Sequence, residues 1–476
     1  MRSLMWFRHD LRIQDNTALW HATQHAPTIA IVFLSAEMWK KHDDALIKID
    51  FYLRQLKQLQ MKLNQLNIPL YIEKIASWDE IPTHIQNFIQ NHQINAVYAN
   101  IELGVNELKR DTAVQNQLNL VGKDLILYHD RTIFPVGSIR TQSNQPYQVF
   151  TPFKKKCYEN LNISIPQPYP KPNTQIAFEN FEQLNSQIPN LSDFYLNEID
   201  EKQHNLWQVG EEKALDLLCE FAQNRLKNYA QQRDYPRLNA TSQIGVYLNI
   251  GVLSIRQCLQ AIFANTQGQF VIENEGQQTW LSELIWREFY QHILFDFPQV
   301  SKNQPFKANT QHIQWRYNEQ HLHAWQQGQT GIPIVDAGMR ELLATGWMHN
   351  RVRMITAMFF SKNLFLDWRL GEKWFMQHLI DGDLAANNGG WQWCASTGTD
   401  AAPYFRIFNP ISQSQKFDEQ GDYIRRWVPE LAHLNAKNIH EPYAKNPNLR
   451  LNYPQPIVDL KQTRQYAIDA FKALSV

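Results

Sequence analysis

Five short apolar runs punctuate the first 130 residues: SLMWF (3–7), TIAIVFL (28–34), PLYIEKI (69–75), NAVYANI (95–101) and DLILYH (124–129). Each is strand-sized and bounded by polar residues, as buried strands are. Between the second and third runs, Phe51, Leu56, Leu59, Leu63 and Leu66 fall on one helical stripe, and similar patterns recur near 79–92 and 105–118. Strand–helix alternation predicts a five-stranded parallel α/β sheet. No G-x-G-x-x-G follows the first strand, so the dinucleotide fingerprint is absent.

The pattern changes after residue 130. Eight of the 22 prolines fall between 131 and 190, among them Pro166, Pro168, Pro170 and Pro172. This predicts a linker over 131–200 with little regular structure. Its basic residues Arg131, Arg140, Lys154, Lys155, Lys156 and Lys171 read first as a solvated face. From 201 to 476 the periodicity is helical. The expected organisation is an α/β domain at 1–130, a linker at 131–200 and an all-helical domain at 201–476.

Lys plus Arg and Asp plus Glu both number 46. Zero net charge excludes a globally basic nucleic-acid binder and leaves room for a local basic patch. Four cysteines without a C-x-x-C pair fit neither a disulfide scaffold nor a zinc site, and no metal site is expected. The absence of a long apolar run or a signal-like N-terminus predicts a cytoplasmic protein. Aromatic residues are abundant, with 15 Trp, 18 Tyr and 25 Phe. They suit either a large core or stacking on a flat ligand.

Four segments carry candidate chemistry. In WLSELIWREFYQHIL (280–294), Glu283, Trp286, Arg287 and Tyr290 share one helical face, while Leu281, Leu284, Ile285 and Phe289 take the other. That face is either a surface Glu–Arg pair with an incidental Trp or a stacking indole beside a carboxylate that reads a ring edge. In GWMHNRVRMITAMFF (346–360), Asn350 and Met354 share a face flanked by Arg351 and Arg353. Spacing alone reads this as an amphipathic helix. The stretch 379–410 brackets Gly382 with Asp381 and Asp383, then runs through Asn387, Asn388, Gly389, Gly390, Trp391 and Trp393. It predicts a binding loop whose amides and carboxylates reach a heterocycle. Thr241 and Ser242 open an apolar run and suit either a helix N-cap or a phosphate site.

Together these segments, with MWFRHDLRIQDNTAL (5–19), GQTGIPIVDAGMREL (328–342) and DWR (367–369), resemble the photolyase/cryptochrome family of flavoproteins, and within it the bacterial cyclobutane pyrimidine dimer photolyases. Gly245 departs from the small hydroxyl residue more usual there. The resemblance implies an α/β domain followed by a helical FAD-binding domain. It implies light-driven DNA repair, a lyase reaction in which excited FADH⁻ passes an electron to a dimer flipped out of UV-damaged DNA. The other reading is a cryptochrome-type blue-light signalling flavoprotein.

The same resemblance implies the site. Tyr229 and the run Thr241, Ser242, Gln243, Ile244 and Gly245 would hold the FAD phosphates and ribityl chain. Arg287, Asp381, Gly382 and Asp383 would line the flavin and adenine, Arg353 would pair with Asp381, and Asn387 would face the flavin N5. Trp286 and Trp393 would form an aromatic wedge at the DNA, with Arg287 and Tyr290 beside it. Glu283 would bond the thymine edge, and Asn350, Arg351 and Met354 would line the dimer. Members specific for (6-4) lesions carry two His at the positions of Asn350 and Met354. Trp391, Trp368 and Trp315 match the family's photoreduction chain. Asn106, Glu107 and Lys302 match positions used for a methenyltetrahydrofolate antenna, a deazaflavin being the other chromophore. A monomer with no obligate protein partner is expected.

Overall fold

The computed structural model describes residues 2–444 and 450–475. The chain divides into two compact units: Met1–Lys227 with Ser242–Pro298, and Asn228–Thr241 with Gln299–Val476.

In the first unit the five apolar runs form β1 (Arg2–Trp6), β2 (Thr28–Leu34), β3 (Leu70–Lys74), β4 (Ile94–Asn100) and β5 (Asp124–Tyr128), each within a residue of its expected bounds. They pair in parallel in the order β3-β2-β1-β4-β5. β1 and β2 are almost wholly buried, so they read as continuous apolar runs. The connecting helices are α1 (Thr17–His25), α2 (Leu46–Gln65), α3 (Ile81–Asn91) and α4 (Val105–Asn119). Asn16 caps α1 by accepting the Leu19 N–H. Leu4, Ile29, Ile31, Ile85, Val97, Val114 and Leu118 share one core.

The Pro-rich stretch is not irregular throughout. It contains the fourteen-residue helix α5 (Phe150–Ile163), whose buried Phe150, Phe153, Cys157 and Leu161 recur at helical spacing. Pro152 lies in the first turn, where a missing N–H breaks no helical bond. The later prolines fall beyond its end.

The segment Ser242–Pro298 returns to this unit with α6 (Ile255–Phe263) and α7 (Glu275–Asp296). A buried ion network joins it to the sheet loops. Asp130 accepts from Arg12 at 2.5 Å and from Arg256 at 2.6 Å, and Arg256 also reaches Asp15 at 2.8 Å. Burial alone would raise the Asp130 carboxyl; the two guanidinium groups override it and hold it far below the usual range. Removing one member would strand the rest in an apolar setting.

In the second unit the described elements are all helical, with one isolated bridge between Arg316 and Leu366. The central elements are α8 (Pro333–Thr345), α9 (Asn350–Met358), α10 (Trp368–His378), α11 (Leu384–Ala395) and α12 (Leu460–Lys472). A wide i→i+5 turn, Phe359–Asn363, closes α9. One core holds Trp325, Val352, Phe360, Trp368, Phe375 and Trp391. No helix of the described residues is long and apolar enough to cross a membrane.

Candidate active site

Helix α7 carries the first candidate face. Asn274 caps it by accepting the Gln277 N–H. Leu281, Leu284, Ile285 and Phe289 are buried, while Glu283, Trp286, Arg287 and Tyr290 are half-buried on the other side, as their spacing predicts. Trp286 lies flat on Phe150 of α5, with ring centroids 3.6 Å apart and planes 7° from parallel. Arg287 donates to the Arg131 carbonyl at 2.8 Å. Glu288, fully buried, accepts the Ile133 N–H at 2.7 Å and the Phe134 N–H at 3.0 Å. It anchors α7 to the chain leaving the sheet, a role that nothing in its sequence neighbourhood signals.

Thr241 and Ser242 do not cap a helix. The helix there is short, Gly245–Asn249, and starts after buried Ile244 with no side-chain cap. Gln243 takes a positive φ of 55°, which breaks the backbone just ahead of it. Tyr229 is buried in the second unit, with the Arg233 guanidinium 5.9 Å from its ring centroid.

At the start of α4, Asn106 Nδ2 lies 3.2 Å from His42 Nε2, and His42 stands edge-on to Trp78 at 4.9 Å. A side chain at Gly104 would collide with the Glu107 carboxylate, so Gly104 admits that fold-back. At the ends of β1 and β4, where an open α/β sheet offers its crevice, Arg8 and Arg110 both lie over Trp6, at 4.7 and 4.9 Å. Arg110 also lies 4.6 Å from Trp78. Burial would raise the Glu102 carboxyl there, but His9, Arg110 and Arg8 hold it well below its usual range. Lys302 is exposed in the second unit.

The second unit holds the other candidates. His349 caps α9 by accepting the Arg351 N–H at 3.2 Å. Asn350 is exposed, with its amide 4.0 Å from Met354 Sδ. Arg351 bonds Asp234 at 2.9 Å and lies 4.5 Å from the Phe417 ring centroid. Arg353 is fixed twice, to the Met348 carbonyl at 2.7 Å and to both Asp381 oxygens at 3.0 and 2.9 Å. Beneath α9, burial pushes the Glu341 carboxyl up to about 7 against the Tyr423 hydroxyl and the His349 N–H that bond it. Burial likewise pushes His349 down to about 4.

Within the binding loop expected over 379–410, residues 384–395 form the helix α11. Asp383 caps it by accepting the Ala386 N–H at 2.9 Å. Its amides are satisfied across to α10: Asn387 Nδ2 donates to the Glu372 carbonyl at 3.0 Å, and Asn388 Nδ2 to the Glu372 carboxylate at 3.0 Å. Gln392 donates to Asn388 Oδ1 at 2.8 Å. These bonds and burial of Trp391 offset the poor helix propensity of Asn and Gly. Gly371 makes room for Trp391, since a Cβ there would lie within 2.8 Å of three atoms of the indole six-ring. A side chain at Gly390 would meet nothing within 4 Å, so α11 borders open space there.

Of the three expected hopping indoles, Trp391 and Trp368 are buried in one core, and half-buried Trp315 packs against it. The rings around Trp391 are Phe375 at 4.9 Å, Phe360 at 5.5 Å and Trp325 at 5.9 Å. Trp393 is half-buried. Among the described residues no cluster of three or more His, Cys, Asp or Glu side chains is placed to hold a metal.

The parallel α/β unit and the helical unit with amides and arginines on α9 and α11 are the architecture expected of the flavoprotein class that the sequence resembles. Two family models match: DNA photolyase over residues 3–173 and the FAD binding domain of DNA photolyase over 280–473. A deoxyribodipyrimidine photo-lyase of Salmonella typhimurium is 42% identical, covering 99% of this chain and 98% of the relative. Among solved structures, a class III photolyase of Agrobacterium tumefaciens superposes with a TM-score of 0.86 at 33% identity, over 100% of this chain and 98% of that one. A Synechocystis cryptochrome superposes with a TM-score of 0.86 at 27% identity, over 98% and 99%. The chain belongs to the DNA photolyase family.

The residues present fit FAD. Gly390 leaves a gap beside Asn387, whose amide nitrogen is already committed and whose oxygen is the remaining acceptor. The Arg353–Asp381 pair supplies a fixed cation near the start of the same helix.

Proposed function

We propose that this chain splits cyclobutane pyrimidine dimers in DNA under blue or near-UV light, with the activity of a deoxyribodipyrimidine photo-lyase and FAD as its cofactor. Bound and reduced FAD supplies the light-driven electron that opens the cyclobutane ring. The chain's own residues bind, orient and tune. Full-length relation to a deoxyribodipyrimidine photo-lyase carries the reading.

With a reduced flavin bound, Asn387 would offer Oδ1 to its N5–H, because Nδ2 is held by the Glu372 carbonyl. A neutral amide there does not repel the negative charge of the reduced ring. Arg353, locked to Asp381, favours that charge. By the family resemblance, Tyr229, the run Thr241 to Gly245, Arg287, Gly382 and Asp383 would hold the rest of the cofactor. Glu283 accepts from a thymine N3–H, Trp286 and Trp393 wedge the duplex beside Tyr290, and Asn350, Arg351 and Met354 face the dimer, which enters by base flipping. Asn350 and Met354 offer no acid for oxygen transfer, which supports cyclobutane dimers over (6-4) lesions. Trp391, Trp368 and Trp315, which share or border one core, would carry electrons inward to an oxidised flavin.

A folate antenna at Asn106 and Glu107, as the resemblance implies, has one observation in its favour. His42 adds a polar partner beside Asn106. The enzyme works as a monomer in the cytoplasm, where its four unpaired cysteines stay reduced.

The test is illuminated and dark incubation with oligo(dT) carrying cyclobutane dimers. Light-only recovery of intact thymines is expected, with Glu283→Ala lowering the yield while FAD stays bound. Dimers that persist under light with the flavin reduced would favour the signalling reading.

A further inference from the structure

We propose that Phe150 is a positioning residue for lesion recognition: it holds the Trp286 indole flat from behind, so that the exposed part of that ring meets the dimer in one orientation. This rests on the reading that Trp286 contacts the lesion. Phe150 is the first residue of α5, in the stretch whose sequence suggests only a linker, and it is 6% exposed. Trp286 is half-buried. The near-parallel stack at 3.6 Å therefore gives one indole face to Phe150 and leaves other parts of the ring at the surface.

Neighbouring rings fix both members. Phe289 is edge-on to Phe150 at 5.9 Å and to Trp286 at 5.8 Å. Tyr290 tilts against the indole at 5.6 Å. Phe153, one turn along α5, packs on Phe289 at 5.1 Å. An indole boxed in this way has lost its side-chain freedom before substrate arrives.

That matters for a cyclobutane dimer in particular. Its two pyrimidines are saturated at C5 and C6, so they are puckered and present a poor π face. Binding then depends on contact with a rigid wall more than on stacking. An undamaged base can stack on a mobile indole as well as on a fixed one. The support from Phe150 should therefore favour damaged over undamaged DNA.

The experiment is a double-mutant cycle on the FAD-loaded full chain. Dark dissociation constants are measured for an oligonucleotide with one dimer and for its undamaged twin. Repair per absorbed photon is measured at saturating DNA. Phe150→Leu keeps the apolar volume and removes the plane. It should weaken dimer binding about tenfold, the scale of immobilising one large side chain. Undamaged binding and repair per photon in the saturated complex should stay the same. Trp286→Ala should also weaken dimer binding, and the double variant should be no weaker than Trp286→Ala alone. If Phe150→Leu binds the dimer normally while Trp286→Ala does not, or if the two losses add, the proposal is wrong and the Trp286 reading stands. If Trp286→Ala binds the dimer normally, that reading falls and takes the proposal with it. Should Phe150→Leu lose FAD or melt early, Phe150→Met, which also lacks the plane, replaces it in the same cycle.

Discussion

Lys362 offers a sharp test of the helical unit's energetics. It lies in the wide turn after α9, is 0% exposed, and its Nζ has no hydrogen-bond partner. The amine rests 3.6 Å from the Phe471 ring centroid on α12. Burial pushes its pKa from 10.5 down to about 7; the nearby Cys394 thiol opposes this and Lys307 reinforces it. The unfolded chain keeps the proton up to about pH 10.5, the folded chain only up to about 7. The stability deficit is therefore complete below pH 7 and fades as pH rises towards 10.5. At about 1.4 kcal/mol per unit, the deficit is about 4 kcal/mol at pH 7 and about 2 kcal/mol at pH 9. Lys362→Met keeps the length and removes the charge. It should raise the unfolding free energy at pH 7 by about 2–4 kcal/mol, with a smaller gain at pH 9. Urea unfolding of the FAD-loaded protein at both pH values measures it. A destabilised Lys362→Met, or a gain equal at pH 7 and pH 9, would refute the reasoning.

Two further outcomes follow from the geometry. Glu288→Ala removes the acceptor for the Ile133 and Phe134 N–H groups and should cost about 3 kcal/mol, read as a lower urea midpoint; an unmoved midpoint would mean those donors find other partners. Trp315→Phe should slow photoreduction of oxidised flavin at least about tenfold while sparing repair that starts from reduced flavin, since Phe is much harder to oxidise. An unchanged photoreduction rate would remove Trp315 from the chain of hops.

The sheet was legible because each buried strand is a short apolar run between polar breaks, and β2 (TIAIVFL) shows this most plainly. The face of α7 was legible for the same reason at period 3.6. Helix α11 was not, because its stability comes from Glu372 across the fold and from the space left by Gly371, neither of which is a local signal. The same holds for α5: its four buried positions repeat correctly, but the surrounding prolines mask them. Phe150 and His42 became visible only once Trp286 and Asn106, far away in sequence, were placed beside them. The basic run read as a solvated face also has a partner in the aromatic surface, with Lys154 Nζ 5.7 Å from the Phe150 ring centroid. Family resemblance supplied roles that periodicity alone left open, such as those of Asn387 and the three indoles.

The most direct measurement is the fluorescence lifetime of the reduced flavin, with and without DNA carrying one cyclobutane dimer, paired with product analysis of the same samples. Electron donation to the bound dimer predicts a shortened lifetime with dimer DNA, no change with undamaged DNA, and intact thymines in proportion to the quenching. A lifetime indifferent to the dimer, with binding demonstrated, would contradict the account.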